Sequence, residues 1–438
     1  MNPFKSLRYL SLDLSLNQAS ALYKKRLAQT KNKLKTPWLI IGPPAPPDGL
    51  YSWLNVNIPF FQDPMLAYLT GINQAGCALF LSPNYSVLFI PEENLDSIRW
   101  EGPYFGLSQT NKEHYKNHFG VDDIKLTTHL LKHLKNTPLS LSNVSESTQK
   151  NCQIKAQQTM LKKKLEVTKE TLNLFELEER LVIDDAALAI IKKAIRFSKQ
   201  AFLTAIKTLE HANNEADIAS TLLASIYKLS PFGPSFPPIV ASSKQACILH
   251  YTDNNNSLQK EGLLLVDFGI RYQSYVTDIT RTIPISGHFH PIDAIIYNIV
   301  LETQSYVESL IKPGITLSNI NEACWAFMNT LIKKRVLDKG GSIKTDYKTA
   351  PHQVGHLIGI AVHDGDTKRN YRNMSLKRGY LISNEPGFYG TVCMPYKQKR
   401  VTRTLGIRIE DMLLITEDGC ENLSQSIPKA SPNKRLYK

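Results

Sequence analysis

Five residues in the second half of the chain have the types and spacing of a metal cage: Asp267, Asp278, His356, Glu385 and Glu410. They stand in the runs Val-Asp267-Phe-Gly, Asp278-Ile-Thr-Arg-Thr, Val-Gly-His356-Leu-Ile-Gly, Asn-Glu385-Pro-Gly and Arg-Ile-Glu410-Asp. Four carboxylates and one imidazole exceed what a structural zinc takes, since such sites are closed by four Cys or His ligands. The set suits two divalent ions bridged by carboxylates, an arrangement that activates water and polarises a carbonyl. Carboxylate oxygens match hard ions such as Mn(II), Mg(II) or Co(II), and one imidazole raises affinity for the transition metals. Taken singly, an Asp in a strand caps a turn and a Glu-Pro-Gly is a turn. Only the five together, in this order, point to chemistry.

The elements around them follow from periodicity. Apolar residues at helical spacing run from Asp184 through Phe202, and a second helix spans 214–229. The period then changes to that of strands at 238–241, 263–267 and 275–280. Asp267 and Asp278 belong to one hairpin turning through Gly269–Ser274, which returns both carboxylates to the same end. The order repeats: helices over 291–311 and 317–336, then strand-like stretches near 350–363, 379–385 and 406–416. Two copies of "helices, then antiparallel strands" place the ligands at a seam, a common location for a pocket. Gly355 and Gly359 flank His356 and allow close backbone packing. Pro386-Gly387 ends the strand that carries Glu385. Arg408 lies two residues before Glu410 and shares its strand face, where it can support a ligand carboxylate.

Three more histidines stand beside these stretches: His250, read at a strand end, His352 and His363. Each could be a satisfied core residue. Their position favours binding a substrate carbonyl and steadying the oxyanion formed on attack. His352 and His356 form an HxxxH pair, but Gln353 occupies the place of the zincin glutamate, which excludes that motif.

The first third is a smaller α/β domain. Trp38–Ile41 reads as a strand before a Pro-rich turn at 43–47, Cys77–Leu81 and Ser86–Ile90 as a hairpin, and 121–136 as a helix. The domains expected are 1–175, with a helical linker from about 153, and 176–438.

The chain of 438 residues has a formal charge of +13. The basic runs Lys24-Lys25-Arg26 and Lys162-Lys163-Lys164 read as solvated helix faces, the second with no interleaved aromatic residues, which argues against nucleic-acid binding. The six cysteines have no CxxC or CxxH spacing, which fits a reducing, cytoplasmic location. The N-terminus is read as mature protein, because Ser11, Asp13 and Ser15 break its apolar run. No apolar run reaches the length of a membrane span.

The sequence of motifs resembles the pita-bread metallopeptidases, and among them the Xaa-Pro aminopeptidases (aminopeptidase P). The motifs are Ile-Leu-His250-Tyr-Thr-Asp-Asn, Asp267, Asp278-Ile-Thr-Arg-Thr, the HxxxH pair, His363-Asp, Glu385-Pro-Gly-Phe-Tyr and Gly406-Ile-Arg-Ile-Glu410-Asp. They cover about 180–438, and Phe60–Gly71 resembles the N-terminal domain signature of the same family. The resemblance implies an α/β (α+β) architecture: a C-terminal pita-bread (creatinase/aminopeptidase) fold of pseudo-twofold helix–strand repeats after a smaller N-terminal domain. It implies that Asp267 chelates one ion, that Asp278 and Glu410 bridge two, and that His356 and Glu385 complete the second. It further implies attack by water or hydroxide held between the ions, with Glu385 as proton shuttle. His250 and His363 would orient the substrate, His352 would line a proline pocket, and Tyr389 and Arg408 would form the wall.

The substrates implied are peptides with proline at the second position. They are tertiary amides whose missing N–H defeats peptidases that grip it. Two divalent ions, Mn(II) by preference, and a dimer or tetramer are implied as well. Three alternatives remain open: a prolidase, a catalytically silent pita-bread module that binds other molecules, and a creatinase-like hydrolase. The Pro-rich run Phe232–Pro238, the basic segment 364–378 and the loop 390–400 depart from the family pattern and bear on substrate length.

Overall fold

The computed structural model describes residues 2–43, 60–135, 137–141, 180–365 and 371–431. The expected domain boundary at 175, the linker helix from 153, Lys162–Lys164, residues 44–47 of the Pro-rich turn and 366–370 of the basic segment lie outside the described residues. The chain divides into two units, Met1–Arg180 with Gly365–Lys368, and Leu181–Asp364 with Arg369–Lys438.

In the first unit the strands Trp38–Ile41, Ala78–Leu81 and Ser86–Ile90 pair antiparallel. Asp123–Leu126 and Ser140–Leu141 add to the two edges in parallel. Leu39, Ile41, Phe80, Val87 and Phe89 form its core with Leu130 and Leu134 from a short helix. The expected helix over 121–136 is therefore corrected. Residues 123–126 are a strand, because the edge of Ser86–Ile90 offers them a ladder, and helix begins only after it, as a 3-10 turn Thr127–His129 leading into Leu130–Leu134. The Phe60–Gly71 signature builds the helix Pro64–Thr70. Asp63 accepts from the backbone N–H groups of Met65 and Leu66, Pro64 opens the first turn, and Gly71 closes the helix at φ 69°.

In the second unit the two helix pairs form as their periods predict. Asp184 caps Asp185–Lys207, whose buried face carries Ile190, Ile191, Ala194, Ala201 and Phe202. Asn214 and Asp217 close a capping box on Glu215–Leu229. A sheet follows in the order Ile279–Pro284, Leu263–Phe268, Ile239–Ser242, with Thr280 opposite Asp267. The second copy has the helices Pro291–Leu310 and Leu317–Arg335. Its sheet is ordered Leu381–Asn384, Asp411–Ile415, Cys420–Asn422.

Three strand expectations and one loop expectation change. The run 275–280 is interrupted, so that Thr277 and Asp278 lie between Tyr275–Val276 and Ile279–Pro284. The run 406–416 breaks at Ile409 and Glu410, between Lys399–Arg408 and Asp411–Ile415. Segment 350–363 holds no strand, only a bridge from Leu357 to Ile382. The loop 390–400 is instead the tip of a long hairpin, Gly387–Tyr396 against Lys399–Arg408, turning at Lys397 and Gln398 with both φ values positive. The first two breaks are where ligand residues leave their ladders. Gly269 serves the first of them: a Cβ there would collide with Thr277 O and Ser235 Oγ.

Candidate metal centre

The strand breaks and strand ends converge. Asp267 stands near the end of its strand with Oδ2 2.6 Å from Arg408 Nη2. Its Oδ1 is buried and has no protein partner. Asp278 Oδ2 lies 3.5 Å from His356 Nε2, which is also 3.3 Å from Glu385 Oε1. Thr280 Oγ1 donates to Glu410 Oε2 at 2.8 Å. One ligand atom each from Asp278, His356 and Glu410 falls within 4.8 Å of the others, and all three residues are buried.

The surroundings aim these side chains. His356 Nδ1 donates to Leu357 O at 3.1 Å, which orients the ring so that Nε2 faces the carboxylates and could offer its lone pair to an ion held there. The His356 backbone N–H donates to Ser383 Oγ, and that hydroxyl donates to Glu385 Oε1 at 3.1 Å. A Cβ on Gly355 would collide with Ser383 O, so the close packing expected of this glycine is real. Behind the site, buried Arg281 donates to Glu410 O at 2.6 Å and pairs with Asp411 at 2.8 Å.

Electrostatics mark the cluster as one that calls for cations. Burial first, then the charges of Asp267 and Glu385, push Asp278 up to about 7 against the pull of His356. Burial and the charges of Asp278, Glu385 and Asp267 raise Glu410 well above the usual carboxylate range. Burial also works against ionised Glu385, but the hydrogen bond and charge of His356, with His352 and Arg408, outweigh it and hold Glu385 at about 2. Burial would lower His356, yet its bonds to Asp278 and Glu385 raise it well above its ordinary value. Buried carboxylates thus compete for one imidazole, and divalent cations would relieve that competition. The oxygen-rich donor set, the unpartnered Asp267 Oδ1 and the three converging ligand atoms all fit such ions.

The other expected residues are placed unequally. Half-buried His352 has Nε2 3.0 Å from Tyr389 OH and Nδ1 3.9 Å from Glu385 Oε2. The Trp325 ring stands perpendicular to the His352 ring, with centroids 5.7 Å apart. Burial lowers the His352 pKa, so the ring is neutral near pH 7. His363 is exposed, with its ring 4.2 Å from that of His356. His250 is corrected from a strand end to a turn after the short helix Ser243–Cys247, where it is exposed. Arg408 joins Asp267, Thr280 Oγ1 and Tyr389 OH. Sequence reasoning missed Thr280, Ser383 and Arg281. The period-two spacing of Thr280 from Asp278 and of Ser383 from Glu385 was the available signal.

The family model described as "Metallopeptidase family M24" matches residues 189–417, and "Aminopeptidase P, N-terminal domain" matches residues 23–143. A "Probable Xaa-Pro aminopeptidase" of Fusarium vanettenii is 29% identical over 410 residues, covering 84% of this chain and 85% of that protein. Proline aminopeptidase P II from Yersinia pestis superposes with TM-score 0.72 at 23% identity, over 94% of this chain and 98% of that one. Aminopeptidase P from E. coli, solved with the inhibitor Pro-Leu, gives 0.71 at 22% identity, over 94% and 96%. The likeness to the two solved structures establishes the fold, a smaller N-terminal α/β domain before a pita-bread domain, as the motifs implied.

Proposed function

The chain belongs to metallopeptidase family M24, and from that premise we propose that it is an Xaa-Pro aminopeptidase, releasing the N-terminal residue that precedes a proline at the second position. The observation that carries the proposal is the convergence of Asp278, His356 and Glu410, with Glu385 3.3 Å from His356 and Asp267 linked to Glu410 through Arg408 and Thr280. These five would hold two divalent ions. The ions, when bound, would supply Lewis acidity at the scissile carbonyl and lower the pKa of the attacking water.

The chain's own groups then have separate tasks. Glu385 is kept ionised by His356 and Arg408, so its carboxylate can accept the water's proton and pass it to the leaving proline nitrogen. His352, neutral and fixed by Tyr389 OH, presents a ring face for the pyrrolidine of proline. Exposed His363 and His250 offer N–H donors to the substrate carbonyl and to the oxyanion.

Mn(II) is the proposed ion, from the hard four-carboxylate set with one imidazole. The proposed location is the cytoplasm. Its support is that the five described cysteines are free thiols and that no described helix is long and apolar enough to cross a membrane. A homo-oligomer, dimer or tetramer, is proposed from the family resemblance.

The test is turnover of Xaa-Pro-Yaa-Zaa and Xaa-Pro peptides with and without added Mn(II), beside Glu385→Gln. The wild type should cleave the longer peptide in a metal-dependent way, and the variant should fold and lose nearly all turnover. Cleavage of the dipeptide alone would make the protein a prolidase. An active E385Q would remove Glu385 from its role.

A further inference from the structure

Strand pairing switches between sheets at the point where the second copy presents its ligands. Asn384 pairs with Asp411 on one side of the switch and Gly387 with Arg408 on the other. Between them lie Glu385 and Pro386 on one chain segment and Ile409 and Glu410 on the other. The carbonyls just before the two glutamates, Asn384 O and Ile409 O, sit at this interruption.

Gln304, fully buried on the helix Pro291–Leu310, fills it. Its Nε2 donates to Asn384 O at 3.1 Å and to Ile409 O at 2.9 Å. Two acceptors facing one terminal atom require the NH2 group there, so the amide orientation is fixed by its partners. Asn384 Nδ2 returns a bond to Gln304 O at 3.0 Å. Meanwhile Gln304 Oε1 and Asn384 Oδ1 are buried with no partner. An unpaired buried oxygen is unfavourable. The Gln304 N–H groups hold the spacing of the two backbone segments, and the Asn384 N–H ties one of them back to the helix.

We infer that Gln304 is a positioning residue for the metal centre, a clamp that holds the backbones of Glu385 and Glu410 at the separation the ions require. The inference rests on the metal centre proposed above and assigns a role to a residue that touches neither ion nor substrate.

Gln304→Met tests it, because Met keeps the length and bulk of the side chain and removes both donors. Metal-stripped wild type and variant, each full length, are titrated with Mn(II) by calorimetry, with bound metal checked by elemental analysis. The variant should unfold cooperatively yet bind at least one ion ~10–100-fold more weakly, as loss of outer-shell partners does. In peptide assays kcat should fall more than KM rises. Wild-type Mn(II) affinity and kcat in Q304M would overturn the clamp while leaving the metal centre standing. A wild-type chain that takes up no divalent ion would overturn the proposed function and the clamp together. If Q304M does not fold, Gln304→Asn makes the same comparison, since it keeps a buried amide and withdraws it by one methylene.

Discussion

Arg408 Nη2 stands 2.6 Å from Asp267 Oδ2, and Arg408 Nη1 stands 2.9 Å from Tyr389 OH. One buried guanidinium therefore ties a carboxylate of the first helix–strand copy to the long hairpin of the second. Its partners raise it well above its ordinary value against burial, so it is a permanent cation. Replacing it with Met should destabilise the metal-free protein by about 3–5 kcal/mol, the usual result of stripping one partner from a buried pair. Arg408→Lys should recover little, because an ammonium cannot serve Asp267 and Tyr389 in the same fork. Urea unfolding of the stripped protein, with peptide turnover of the reloaded one, reads both effects. A stable, active R408M would remove the guanidinium from this role.

Metal removal should lower stability without dissolving the fold. The helix pairs and sheet cores do not depend on the ligand carboxylates, but those carboxylates repel one another once the ions leave. At free Mn(II) one-hundred-fold above its dissociation constant, binding should contribute about 2.7 kcal/mol per site. The thermal midpoint should therefore fall on treatment with a chelator and return on re-addition of Mn(II). A midpoint indifferent to both would oppose a native metal centre.

Glu215 is fully buried and accepts from Ser242 N, Ser242 Oγ, Tyr251 OH and Asn256 N, at 2.6–2.9 Å. Two of these donors follow His250 closely in the chain. Glu215→Ala should cost ~3 kcal/mol or more, since each orphaned buried donor costs about 1–3 kcal/mol. Loosening the turn that bears His250 should also raise KM. Glu215→Gln, which keeps one acceptor, should fall between. Equal KM in all three proteins would separate this anchor from substrate binding.

In the first unit His118 Nε2 meets Tyr9 OH at 2.8 Å, and Phe4 packs on its ring. Burial, then the charges of His114 and Lys24, pull its pKa down to about 4 from 6.5. The unfolded chain takes up this proton first. The stability His118 contributes is thus complete above pH 6.5 and is lost as pH falls from 6.5 towards 4. His118→Gln should flatten that part of the stability profile, read as urea midpoints at half-unit steps of pH. Parallel wild-type and variant profiles would exclude the effect.

Much of this protein can be read in its residues alone. The ligand types and their order, the helical periods of 185–207 and 291–310, and the caps at Asp63, Asp184 and Asn214 are local. Each depends on neighbours a few positions away. The hairpin 387–408 escaped notice because its turn uses Lys397 and Gln398 at positive φ, where glycine or asparagine would have announced it. Segment 350–363 imitated a strand because its apolar residues are buried by packing against 381–384, and burial leaves the same mark on a loop as on a sheet. Tertiary structure alone decided that the ladders break at Asp278 and Glu410, that His250 is exposed while His352 is half-buried, and that Gln304 bridges carbonyls 80 and 105 residues away. Contacts at such separation leave no period in the chain, because nothing in the spacing of adjacent residues encodes which distant carbonyl will lack a partner.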